Sequence, residues 1–526
     1  MKNVSTQPFS TFITTLILIA IFTIGNSLNV VAQSTSLWQP LPKSAAKSNS
    51  EVMPMLPDLS KQNLFQLSVA DMLRTSKSAA SEFSAKSTTT ATVELPLPDG
   101  TFQTFQIWES SIMESGLAAK YPEIKTYVIQ GIDDPLSAGR MMISPDEFSA
   151  YFAHYELQQE VFIRKAFKGK SNAYVSYFGQ DHPRDADWTC NFIGDDSELK
   201  PTADQLAKTL NSPSTGAELR VFTLAVSFTG ALSEQQGYTT KAEALAGIVS
   251  FLSEINAVFE RDISVRFVLP AEQDKLIFLS DATDPFTVDG GYYVSSENQI
   301  VQASLIGEEN YDIGLVLVTG GCCAASLPAL CNDSKSRNFS RFRNLRITNH
   351  EIGHQFGAYH TWTHCGGQGS FGANEIGNGT TIMGYEGCGT DAVEDELVRQ
   401  YFGAYSRYIM MNTVAGVSCG KTLATNNYPP VITVPNDGFY IPKETPFTLK
   451  GTGTDADDDP VTYSWEQTNI LGIDFTDSIS AIMEPTAAFG DVPIQRTFNP
   501  VSSPERTFPS FPNLLNNISS YFEKLP

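Results

Sequence analysis

Three histidines and a glutamate carry the first chemical signal in this chain. They stand in His350-Glu351-Ile352-Gly353-His354-Gln355-Phe356-Gly357-Ala358-Tyr359-His360. Residues four apart share one face of a helix, so His350 and His354 can offer two imidazole nitrogens to one cation about 2.0–2.1 Å away, which suits zinc. Glu351 follows the first histidine, where its carboxylate can reach a water on that cation without binding the metal, as a general base must. Gly357 can take a left-handed backbone without a Cβ clash, ending the helix and bringing His360 back to the same ion. Three protein ligands leave a fourth position for water. A bare His-Glu-x-x-His also occurs on helix surfaces with both rings in water; Gly357 and His360 at this spacing argue for the metal. His364 lies beyond a complete ligand set and reads as structural or solvent-exposed.

Downstream, Thr381-Ile382-Met383-Gly384-Tyr385 supplies a methionine at a distance that fits a hydrophobic turn beneath the metal, although a lone methionine is more often core filler. The segment His350 to His360 followed by Met383 resembles the metzincin pattern of zinc ligands, catalytic glutamate and Met-turn. The longer run, with Gln355-Phe356-Gly357-Ala358, His360-Thr361 and Cys365-Gly366-Gly367, is similar to the reprolysin-like (adamalysin-type) branch in secreted bacterial proteins, and the likeness extends more weakly over 91–500. There are two departures. Many reprolysins carry Asp where Thr361 stands, and their Met-turn usually lacks a tyrosine two residues after the methionine. Astacin- and serralysin-like members place one there, so the resemblance offers Tyr385 as a zinc ligand or oxyanion donor; a packed aromatic is the other reading.

The resemblance implies a zinc-dependent endopeptidase. The metal would polarise the scissile carbonyl, and Glu351 would take a proton from water and pass it to the leaving amine. Glu386 to Asp391 would shape side-chain preference. Seven cysteines are present, six of them between Cys322 and Cys419 (Cys322, Cys323, Cys331, Cys365, Cys388 and Cys419). If those six pair, Cys190 is left over, just ahead of the catalytic unit, and a thiolate binds zinc strongly. Related zymogens use cysteine switches, so the resemblance points to Cys190 in the fourth zinc position of a precursor. A merely buried thiol is the alternative, and adjacent Cys322 and Cys323 leave the pairing open.

A metal centre of this kind needs a sheet and helices to hold it. The run Leu219 to Val226 predicts a buried strand. In the helix that follows, Leu245, Ile248, Leu252, Ile255 and Phe259 form one apolar stripe that must pack on a sheet. Ile263, Val265 and Phe267 alternate as a strand, and Ile313 to Val318 read as an inner one. This order predicts an α/β fold: a metzincin-type catalytic domain with a twisted mixed sheet and an active-site helix, spanning 216–420. Before it, short alternating stretches and turn signals predict a β-rich prodomain at 91–210. After it, 430–526 reads as an Ig- or PKD-like β unit, incomplete as written, in which Val461, Tyr463 and Trp465 alternate as a strand.

Lys2 and the apolar run Phe12 to Ile24 read as a signal peptide over 1–32, too short to span a bilayer, so the mature form is expected to lack a membrane span. Ser-, Ala- and Lys-rich residues 33–90 read as a leader without a fold. The chain has 526 residues and a net charge of −23, which argues against nucleic acid as a partner and leaves protein or peptide substrates. Asp455, Asp457, Asp458 and Asp459 could offer oxygens to calcium, or form a solvated acidic turn. Export places the product outside the cell. Two other readings are a secreted adhesion or matrix-binding protein with accessory protease activity, and a zinc hydrolase of esters or non-peptide amides.

Overall fold

The computed structural model describes residues 37–42, 44, 51–84, 91–183, 190, 214–321, 323–363, 372–385, 400–434, 440–468, 493–516, 523 and 525. The expected signal peptide at 1–32, His364, and Glu386 to Asp391 lie outside the described residues.

An antiparallel sheet opens the chain. Strands β1 (Trp38–Leu41), β2 (Asn63–Leu67), β3 (Ala91–Pro96), β4 (Phe102–Glu109), β5 (Lys125–Gly131), β6 (Ala138–Ile143), β7 (Phe148–His154), β8 (Gln159–Lys165) and β9 (Ala173–Phe178) lie in the order β1-β2-β9-β8-β7-β6-β5-β4-β3. From β3 onward each strand pairs with its successor, as hairpin-connected alternating sequence requires. One expectation is corrected here. Residues 33–90 are not a leader without structure, because β1, β2 and the helix Val69–Ser76 belong to this unit. Trp38, Phe65, Leu67, Val69 and Met72 are buried in its core, and Trp38 packs edge-on against Phe65, Phe148 and Tyr174. These apolar runs are short and interrupted by polar residues, so composition hid them.

The second sheet carries strands β10 (Glu218–Phe228), β11 (Val265–Val268), β12 (Ile313–Val318), β13 (Ala324–Ala325), β14 (Asn338–Arg341) and β15 (Lys421–Ala424), with β11-β10-β12-β14-β13 in sequence across it. β10 pairs in parallel with β11 and β12, and β12 in parallel with β14. The short β13 is antiparallel to β14, and β15 is antiparallel to β10. All six residues of β12 are buried, which fits its unbroken apolar sequence. The disulfide Cys331–Cys419 links the region after β13 to the start of β15.

The helix Lys241–Ile263 starts at a capping box, with Thr240 and Glu243 satisfying each other's backbone N–H groups, and ends at Ser264 in the left-handed region, φ 53°. Its stripe Leu245, Ile248, Leu252, Ile255 and Phe259 is buried, and so are Ser250, Glu254 and Asp262 on other faces. Strands β6 and β7 of the first sheet and β10 and β11 of the second both pack against it. Polar residues on a doubly covered helix need partners. Arg164 of β8 forms a two-pronged pair with Glu254, and Arg140 of β6 donates to Glu260 at 2.8 and 3.0 Å. Arg343 donates to Glu147 at 2.8 Å.

Beyond β15 the described residues contain two antiparallel pairs, β16 (Val431–Thr433) with β18 (Thr452–Thr454), and β17 (Phe447–Lys450) with β19 (Glu505–Phe508). Val461, Tyr463 and Trp465 do not form the expected strand. Only Tyr463 pairs, in a single bridge to Val501, and Pro500 and Pro504 on either side of that partner lack the N–H groups a ladder needs.

Candidate metal centre

The helix Leu345–Gln355 begins where the Asn344 side chain accepts from the backbone N–H of Ile347, and every residue in it is buried. It ends at Phe356, and Gly357 follows with φ +91°. A Cβ there would also lie 2.8 Å from the Thr413 hydroxyl, so the turn excludes a side chain on two grounds. The turn returns the chain, and His360 comes back beneath the helix.

Nε2 of His354 lies 3.0 Å from Nε2 of His350 and 3.1 Å from Nε2 of His360. Nδ1 of His350 faces the carbonyl of Ile382 at 2.8 Å, and Nδ1 of His354 faces that of Ala358 at 2.7 Å. A carbonyl only accepts, so both Nδ1 atoms carry the proton and both Nε2 atoms present bare lone pairs. Lone pairs converging at this distance repel unless a cation sits among them. Three nitrogens on a tetrahedral zinc would stand roughly 3.3 Å apart, so the donor set fits that ion. Burial, then the neighbouring rings, hold His350 and His360 well below the usual imidazole range, and burial brings His354 down to about 4. Neutral imidazoles, the form that binds metal, are thereby favoured.

Glu351 is fully buried beside the histidines. The Cys190 thiol lies 3.5 Å from its Oε2 and 3.6 Å from Nε2 of His354, and the Cys190 sulfur can join the three rings around one ion. Cys190 pairs with Cys323 in a parallel β-bridge, just before β13. The Tyr385 hydroxyl donates to the Cys190 carbonyl at 2.8 Å and lies 3.1 Å from Nε2 of His360. Burial, then the Cys190 and Glu351 charges, push the Tyr385 phenol up, which keeps its proton in place for donation.

Met383 is buried under the helix, at the position where a Cβ on Gly353 would meet its Sδ at 2.7 Å. Gly353 offers no chemistry of its own in the sequence. Its lack of a side chain is what admits the methionine. Nothing in the sequence singles out Glu375, a loop carboxylate whose partners Thr361, Thr380 and Thr381 stand at no helical or strand spacing from it.

A family model described as Metallo-peptidase family M12B Reprolysin-like matches residues 218–404. The chain carries a reprolysin-like metallopeptidase domain. It is an enzyme, a zinc metalloendopeptidase. No curated protein matches the chain. Among solved structures, the metalloproteinase-II from Bacteroides fragilis is similar at 12% identity and a TM-score of 0.30, over 52% of this chain and 82% of that one.

The metallopeptidase domain thus holds His350, Glu351, His354, Gly357, His360, Met383 and Tyr385 in one place, with Cys190 reaching it from the N-terminal side. Asp455, Asp457 and Asp459 also lie close together, but Asp455 already accepts the backbone N–H groups of Asp457 and Asp459. That is an ordinary acidic turn, and calcium finds no support in it.

Proposed function

We propose that this chain is a secreted endopeptidase made as a latent precursor, with His350, His354 and His360 as zinc ligands and Glu351 as the general base. The observation that carries the reading is the convergence of three Nε2 atoms, two of them stripped of protons by their Nδ1 partners. Zinc supplies Lewis-acid polarisation of a peptide carbonyl and acidifies a water. Glu351, buried beside the ligands, takes a proton from that water and returns it to the leaving amine. Tyr385 directs its hydroxyl to the developing oxyanion, and Met383 gives the ligands an apolar floor.

Latency rests on Cys190. Its sulfur stands at the fourth corner of the histidine set, and its carbonyl occupies the Tyr385 hydroxyl. Release then requires a cut between about Cys190 and Glu218, with 91–210 acting as prodomain. Two features favour export: the apolar run Phe12 to Ile24, and the disulfide Cys331–Cys419, which forms in oxidising compartments. Proteins or peptides are the substrates, and the antiparallel pairs after Val431 belong to an Ig- or PKD-like unit.

Metal analysis and peptide cleavage by the processed chain and its Glu351→Ala variant test this reading. Expected are one zinc per chain in both and a loss of rate on the order of 10²–10⁴ in the variant. A folded chain without stoichiometric zinc, or undiminished cleavage by the variant, refutes it.

A further inference from the structure

We propose that Glu375 is a positioning residue for the metal centre: its buried carboxylate clamps the segment carrying His360 to the turn carrying Met383, and so fixes two of the three ligand rings. The inference rests on the zinc reading above. Glu375 is only 4% exposed. Its Oε2 accepts from the hydroxyls of Thr361 and, at 2.6 Å, Thr381. Its Oε1 accepts from the backbone N–H and the hydroxyl of Thr380, at 3.1 and 3.0 Å. Oε2 thus bridges the two segments, and Oε1 adds to the hold on the turn that carries Met383.

Each contact leads to a ligand. Thr361 is covalently next to His360, and its N–H donates to the Met383 carbonyl at 3.1 Å. Thr381 precedes Ile382, whose carbonyl faces Nδ1 of His350 at 2.8 Å. The Glu375 backbone adds a second hold, donating to Thr361 at 2.8 Å and accepting from Thr363 at 2.9 Å on either side of Trp362. A hydrogen-bonded group behind a metal-binding imidazole sets the ring's orientation and tautomer, and Glu375 fixes the backbone that supplies that group.

The choice of a carboxylate is specific. It only accepts, and it faces four donors, three of them hydroxyls; an apolar side chain would take that acceptor away from all four. Charge-assisted bonds of this kind are roughly twice as strong as neutral ones.

The test follows zinc release from the full chain to a chromogenic chelator, in the parent and in Glu375→Ala, Glu375→Gln and Thr361→Val, with melting of each metal-free form alongside. Glu375→Ala is expected to release zinc about 10- to 100-fold faster. Glu375→Gln, which keeps one acceptor, should recover most of the loss, and Thr361→Val should show a smaller acceleration. A folded Glu375→Ala that releases zinc at the parent's rate overturns the proposal, as does a lowered melting temperature with unchanged release. Should Glu375→Ala not fold, Thr361→Val decides: parent-like release overturns the proposal. If the parent itself binds no zinc, the metal reading fails first, and the two failures are told apart.

Discussion

The sulfur of Cys190 lies 3.6 Å from Nε2 of His354 and 3.5 Å from Oε2 of Glu351, so one side chain touches both a proposed ligand and the proposed base. Water and a substrate carbonyl need that same space. Replacing the thiol should therefore raise activity rather than lower it. Cys190→Ala in the uncut chain is expected to increase peptide hydrolysis roughly tenfold or more, equal to removing at least about 1.4 kcal/mol of competing contact. Cys190→Ser, a poorer zinc ligand, should give a smaller rise. Hydrolysis that stays at the parent level in both variants would separate Cys190 from latency.

Gly353 lies directly above Met383, and a Cβ there would also meet Phe402 at 3.0 Å. Two effects of Gly353→Ala compete. Alanine gains about 1 kcal/mol of helix propensity. Overpacking a tight core costs about 1–3 kcal/mol, and the Phe402 ring is stiff, so destabilisation should win by about 1 kcal/mol. Chemical denaturation of the metal-free chain measures it; a more stable variant would mean that the methionine moves aside freely.

How much of this was readable beforehand follows from where each signal lies. His350, Glu351, His354, Gly357 and His360 fall within one helix and its turn, so local spacing reveals them. The strands Ile313–Val318 and Glu218–Phe228 are continuous apolar runs with little to confuse them. Glu375 looks like any loop carboxylate until the chain folds it onto Thr361 and Thr381. Trp38 and Phe65 sit among serines and lysines that dilute their pattern. The helix Lys241–Ile263 shows one apolar stripe in sequence, yet Glu254 on another face is buried too, because its partner Arg164 lies 90 residues upstream. Pairings at such distances leave no periodicity to read.

That pair bears on the proposed processing. Arg164 and Glu254 are 1% and 2% exposed, and one core cluster joins Tyr151, Phe162 and Val175 of the first sheet to Phe251, Leu252 and Phe259 of the helix. A cut between Cys190 and Glu218 can free the metal centre without breaking this interface. The N-terminal sheet is expected to co-elute with the catalytic part in size-exclusion chromatography after cleavage. Arg164→Ala, which leaves Glu254 buried without that partner, should cost about 3–5 kcal/mol. Separation of the pieces in native buffer, or a loss well under 1 kcal/mol, would contradict the role given to the pair.

The C-terminal unit is tied to the catalytic domain by Glu466, whose Oε2 accepts the backbone N–H of Ala404 at 2.7 Å, at the start of the helix Ala404–Gly416. Burial raises this carboxyl to about 7 from an ordinary 4.5. The Ala404 N–H and Arg407 pull it down, while Glu375 and Asp262 push it up. The folded protein thus keeps a proton that the unfolded chain gives up near pH 4.5. The stability linked to it is complete below that pH and is lost as pH rises through about 7. The buried histidines work in the opposite direction, since His354 is held near 4 and must be charged as pH falls. The difference between the parent and Glu466→Gln isolates the carboxyl. The parent's urea midpoint minus that of Glu466→Gln should be higher at about pH 5 than at about pH 8, because only the parent loses this bound proton between them. The same difference at both pH values would show that Glu466 titrates as an ordinary carboxylate.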